Sequence, residues 1–184
     1  MRPAAPAADT RLTYDDFLLF PDDGKRHELL DGVHYVTPSP RLRHQDLVGR
    51  LHGEIFLYLR EHPAAGRLFI APLDVVLSNY DVVEPDLLFV STARRADVLT
   101  AAHVRGAPDL VVEIGSPGTR KRDETIKRRL YERDGVTEYW VVDLDIDVIR
   151  VYRREGSVFS RPDELTRQNN DVLTTTLLQG LTLP

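Results

Sequence analysis

Two apolar stretches decide the fold: Val82-Val83-Glu84-Pro85-Asp86-Leu87-Leu88-Phe89-Val90 and Asp109-Leu110-Val111-Val112-Glu113-Ile114. Each is short and almost uniformly apolar. Such runs suit strands that are buried on both faces of a sheet. Each also carries a carboxylate where an apolar side chain is expected. Buried Asp and Glu are rare unless they are paired, protonated or bound to a cation. Strands that pair directly would bring Asp86 and Glu113 to within about one strand spacing, ~4.8 Å.

Outward from this pair, the chain alternates strands and helices. Residues 26–30 and 33–37 predict a β-hairpin around Asp31-Gly32, a strong turn dipeptide between extended runs. A short helix precedes it at Tyr14–Leu19, capped by Thr13. His44 to Glu61 predicts an amphipathic helix, with Leu47, Val48, Leu51, Ile55 and Leu59 at helical spacing. Residues 67–78 predict a further strand. Thr119 to Asp134 predicts a second long helix, closed by Gly135. Residues 138–143 and 148–153 follow as strands, and the last thirty residues hold short strand fragments. The order predicts an α/β (α+β) fold: a central mixed β-sheet flanked by helices, with an N-terminal β-hairpin.

The paired carboxylates suggest a chemistry. A hard cation such as Mg²⁺ or Mn²⁺ takes one or two carboxylates and fills its remaining positions with water and phosphate oxygen. It polarises a phosphoryl oxygen and lowers the pKa of water. A lysine can orient the attacking water or offset growing charge, whereas arginine stays protonated and cannot serve as a base. The chain has three lysines, Lys25, Lys121 and Lys127. Lys127 stands four residues after Asp123 and four before Tyr131, so the three share one helix face.

Composition narrows the field. The chain of 184 residues has no cysteine, which excludes disulfides, thiol catalysis and Cys-based zinc sites. Absence of cysteine fits a cytoplasmic protein. No stretch reads as a membrane span. Residues 1–12 read as a flexible N-terminal tail, and 13–184 as one domain. There is no Walker A lysine and no GxGxxG, and Ser116 has no evident histidine partner. The net charge of −5 counts against tight nonspecific DNA binding. Locally, however, Arg120, Lys121, Arg122, Lys127, Arg128, Arg129 and Arg133 form a basic run at the mouth of the proposed site.

Taken together, Pro85-Asp86, Glu113 and the lysine-bearing helix resemble the PD-(D/E)XK nuclease core. Glu84–Val90, Pro108–Ile114 and Gly135–Asp143, with Glu28-Leu29-Leu30-Asp31-Gly32 and His44, resemble more closely the Uma2 (DUF820) family of restriction-type endonucleases. The resemblance covers roughly residues 14 to 155. It implies a restriction-endonuclease-like core, with Asp86 and Glu113 as metal ligands and Lys127 as the catalytic lysine. Glu28 and His44 match accessory catalytic positions. DNA is the implied substrate and a homodimer the implied assembly. The usual motif places its lysine two residues after the acid, where this chain has Gly115, so the resemblance assigns that part to the helix-borne Lys127.

The same residues admit plainer readings. Asp86 can start a turn after Pro85, and Glu113 can pair with an arginine at a strand end. Lys127 can be a solvated helix lysine, paired with Asp123 for a few tenths of a kcal/mol. On those readings the chain is a catalytically inactive nuclease-fold protein that serves as a binding or assembly module.

Overall fold

The computed structural model describes residues 11–116 and 118–183. Most of the tail expected at residues 1–12 therefore lies outside the described residues. Leu12 is within them, and its N–H donates to the Gly32 carbonyl at 2.8 Å.

The chain opens with helix α1 (Tyr14–Phe17) and the hairpin β1 (Arg26–Leu30) and β2 (Val33–Thr37), followed by helix α2 (Leu42–Glu61). Strands β3 (Gly66–Ile70), β4 (Val75–Ser78), β5 (Asp81–Val83) and β6 (Leu87–Ser91) follow. Helix α3 (Arg95–Val98) and strands β7 (Val104–Arg105) and β8 (Leu110–Gly115) come next. A helical segment made of α4 (Arg120–Arg122), a π-helical turn (Asp123–Lys127) and α5 (Arg128–Asp134) connects β8 to β9 (Glu138–Asp143). The chain closes with β10 (Val148–Glu155), β11 (Val158–Phe159), β12 (Asp163–Thr166), β13 (Leu173–Thr174) and β14 (Thr182–Leu183).

The large sheet runs β11-β10-β9-β8-β6-β3, with β12 paired to β10. Its β8–β9 pair is parallel, while β6–β8, β3–β6 and β9–β10 are antiparallel. A parallel pair needs a long crossover, which the 120–134 helical segment provides. A smaller sheet runs β2-β1-β5-β4-β7. This is the expected mixed sheet flanked by helices, with the hairpin at the edge of the smaller sheet. Asp31 and Gly32 both have positive φ, 53° and 77°, as a tight hairpin turn requires.

The apolar strands of the large sheet are buried on both faces, as their composition predicts. Leu87, Phe89, Leu110 and Val112 turn one way, onto Val48, Leu51, Ile55 and Leu59 of α2. Leu88, Val90, Val111 and Val141 turn the other way, onto Leu130 and Tyr131 of α5 and onto Val75, Val83 and Leu30 of the smaller sheet. Truncating one such leucine to alanine costs about 2–5 kcal/mol.

Two predicted strands divide. Residues 67–78 become β3 and β4, and 82–90 become β5 and β6, each half joining a different sheet. The second break falls at Glu84-Pro85-Asp86. Proline has no N–H for a ladder, so the chain leaves one sheet and enters the other there. The break sets Glu84 and Asp86 at the junction of the two sheets.

Candidate active site

The β6–β8 register pairs Leu87 with Val112 and Leu88 with Val111. Continued one step, it brings Asp86 opposite Glu113, at the end of the ladder. Glu113 alternates with Val111, so it faces the crossover helix. Its Oε1 accepts from Lys127 Nζ at 2.8 Å and from the Tyr131 hydroxyl at 2.7 Å. Lys127 is 3% exposed and also reaches Glu28 Oε1, at 2.6 Å. Asp123 Oδ1 stands 4.0 Å from the same ammonium. Lys127 is thus buried among three acids, and its reading as a solvated helix residue does not hold. The π-helical turn carries Asp123 and Lys127, both buried. Such turns frequently interrupt α-helices at functional sites.

Asp86 is bound from three sides. Its Oδ2 accepts from the Ile114 N–H at 2.8 Å and lies 3.1 Å from His44 Nε2. Its Oδ1 accepts from the Arg26 guanidinium at 2.8 Å. His44 comes from the first turns of α2, on one side of the sheet. Arg26 comes from β1, where it shares a face with Glu28 and Leu30. Glu28 Oε1 also takes the Glu84 N–H at 3.0 Å. The structure therefore gathers all five predicted residues at one sheet end: Glu28, Lys127 and Glu113 as one linked group, Asp86 and His44 as another.

The electrostatics follow from burial and crowding. Burial, together with the charges of Asp123, Asp86 and Glu28, pushes Glu113 up to about 8 against the pull of Lys127. Burial works against the Lys127 charge, but Glu113, Glu28 and Asp123 hold it above its ordinary value. Burial also works against Asp86, yet donation from His44 and the Arg26 charge keep it below the usual carboxylate range. Glu84 is pushed up to about 7 by burial, Asp74 and Glu28. The site holds more carboxylate than its own cations neutralise.

That excess bears on a divalent cation. Among the described residues no group of three or more His, Cys, Asp or Glu is spaced to hold a metal ion. Lys127 sits among Glu28, Glu113 and Asp123 instead, and Arg26 is paired with Asp86. The donor chemistry nevertheless fits a hard cation. Glu28 Oε2 and Glu84 Oε2 are buried and find no hydrogen-bond donor among the described residues. Arg122 stands 3.4 Å from Glu28 Oε2 as an ion pair without a hydrogen bond. Both hydrogen bonds to Glu113 fall on Oε1.

The predicted basic run is largely taken up in ion pairs with the chain's own acids. Arg120 pairs with Asp143, Arg122 with Glu28, Arg128 with Glu132 and Arg133 with Asp81. Lys121 and Arg129 remain exposed. Two site residues escaped the sequence reading, Arg26 and Glu84, and Arg122, expected in the basic run at the mouth of the site, pairs instead with Glu28. The two-residue spacing of Arg26 from Glu28 on a strand was the signal that could have found the first.

A mixed sheet flanked by helices, with a buried acid–lysine cluster where two central strands end, defines a nuclease-like fold. Its likeness to a solved structure supports this: a protein from Anabaena variabilis described as a putative nuclease belonging to DUF820 has a TM-score of 0.78 and 20% identity, over 94% of each chain. The Uma2 family pattern, described as "Putative restriction endonuclease", matches residues 14–184, and the chain belongs to that family. No curated protein sequence matches the chain.

Proposed function

We propose that the chain is an endonuclease that hydrolyses DNA phosphodiester bonds with the help of Mg²⁺ or Mn²⁺. The observation that carries this reading is the Lys127–Glu113 contact beside Asp86, at the common end of β6 and β8. Asp86 and Glu113 would hold the cation, which when bound would supply charge stabilisation at a phosphoryl oxygen and a more acidic water. Lys127 would hold its ammonium where negative charge grows in the transition state. Glu28 also holds that ammonium, at 2.6 Å. His44 fixes Asp86, and Tyr131 fixes Glu113. The family description supports DNA as the substrate. A homodimer would set two such sites against two strands. We place it in the cytoplasm, a setting that the absence of cysteine fits.

A second reading keeps the fold without the reaction, as a binding or assembly module. It is favoured by the full set of donors already on Asp86, by Gly115 at the usual lysine position and by the net charge of −5. Purified protein given Mg²⁺ or Mn²⁺ with linear, supercoiled and single-stranded DNA separates the two. The nuclease reading expects cleavage that Asp86→Ala abolishes. Cleavage no greater than that of Asp86→Ala on every substrate would favour the module.

A further inference from the structure

We propose that Arg26 is an internal stand-in cation, which a divalent ion must displace from Asp86 and which then serves as a phosphate-positioning residue. This rests on the nuclease reading above and adds a residue to it.

Asp86 has three donors, and they differ in their freedom to leave. The Ile114 N–H belongs to the backbone of β8. The His44 side chain is buried at the sheet end. Arg26 is 22% exposed and lines a cleft of about 440 Å³ together with Glu84, His44 and Asp86. Only Arg26 can withdraw without disturbing a strand or the core. Its second contact, from the same nitrogen to the Glu84 carbonyl, is long at 3.4 Å and holds it weakly.

Its charge is also placed where a cation is needed. Asp86, Glu113 and Glu28 all favour the Arg26 guanidinium. A dication on Asp86 would meet that guanidinium at close range, and the two positive charges would repel. Once off Asp86, Arg26 stays on the cleft wall, within reach of whatever the cleft admits. A planar guanidinium matches the paired oxygens of a phosphodiester, which a lysine ammonium does not. Arg26 would thus lower the affinity for the cation while raising that for DNA. Glu84 lines the same cleft, and its buried Oε2, for which the described residues supply no donor, is a second oxygen for the incoming charge.

Calorimetric titration with Mn²⁺ alone tests the first half, on the wild type, Arg26→Met, Arg26→Lys and Asp86→Asn. Thermal melts establish that each is folded, and Arg26→Gln, which also removes the charge, replaces Arg26→Met if the latter is not folded. Arg26→Met should bind Mn²⁺ roughly two- to five-fold more tightly than wild type, as loss of one partly exposed ion pair implies, with Arg26→Lys close to wild type. A fluorescent DNA oligonucleotide, titrated with Ca²⁺ present, should bind Arg26→Met more weakly than wild type. Asp86-dependent Mn²⁺ binding that is equal or weaker in folded Arg26→Met would overturn the stand-in role and leave the nuclease reading intact. Unchanged DNA affinity would overturn the positioning role. Absence of Mn²⁺ binding in wild type and Arg26→Met alike would overturn both this inference and the nuclease reading.

Discussion

Lys127 Nζ lies 2.8 Å from Glu113 Oε1, although one residue sits in a helix and the other in the sheet it crosses. The β8–helix–β9 crossover makes this contact possible. Glu113 and Val111 face the helix together, and Lys127 stands one turn before Tyr131, which meets the same carboxylate oxygen.

Removing the ammonium leaves Glu28 and Glu113 buried without their main partner. Lys127→Met should destabilise the fold by about 3–5 kcal/mol in denaturant melts, the usual result of breaking a buried pair from one side. It should lower DNA cleavage by roughly 10²–10³-fold, as loss of one well-placed charge does. Adding Glu113→Gln to Lys127→Met should recover part of the stability and none of the cleavage.

Tyr131 makes a smaller contribution. Tyr131→Phe keeps the buried ring and removes one donor from Glu113 Oε1. A loss of about 1 kcal/mol is expected by chemical denaturation. Cleavage should persist at a reduced rate, whereas complete loss would give the hydroxyl a larger part than holding Glu113.

The stability of the metal-free protein should depend on pH in two opposed ways. Glu113 titrates at about 8 in the folded chain against an ordinary 4.5. Its contribution is full below 4.5 and is lost as pH rises through about 8. Asp86 is held below its ordinary 3.8, so its contribution is present above that value and is lost as pH falls. Thermal melts across this range should show a mildly acidic optimum. Glu113→Gln should flatten the alkaline side, and Asp86→Asn the acid side.

A cation that binds only the folded chain stabilises it by mass action, by about 2.7 kcal/mol at a hundred times its Kd. Mn²⁺ should therefore raise the melting temperature of wild type and not that of Asp86→Asn. Glu138 provides the control: it is buried away from the cluster, against Trp140 Nε1 at 2.7 Å and Thr175 Oγ1 at 2.9 Å. Glu138→Ala should lower stability by about 1–3 kcal/mol and leave the shift caused by Mn²⁺ in place.

Much of this site was legible in the sequence because its parts stand on regular elements. Two-faced apolar strands located Asp86 and Glu113, and a four-residue spacing located Asp123, Lys127 and Tyr131. Asp31-Gly32 and Gly135 marked a hairpin and a helix end through the backbone angles they allow. The splitting of 67–78 and 82–90 was harder to read. An apolar run does not reveal that it changes sheets, and Pro85 alone marked the second break. Arg26, Glu84 and the pairing of Arg122 with Glu28 stayed hidden because they depend on how the small sheet packs against the large one. Pairing across more than fifty residues leaves no local pattern. Nor did the basic run reveal how many of its arginines have internal partners.

The central claim is that Asp86 and Glu113 share one hard cation beside Lys127. Anomalous scattering from crystals grown with Mn²⁺ tests it most directly. A peak in contact with both carboxylates, absent from Asp86→Asn crystals, is the predicted result. A map without a peak there at saturating Mn²⁺, with Lys127 still on Glu113 and Arg26 still on Asp86, would contradict it.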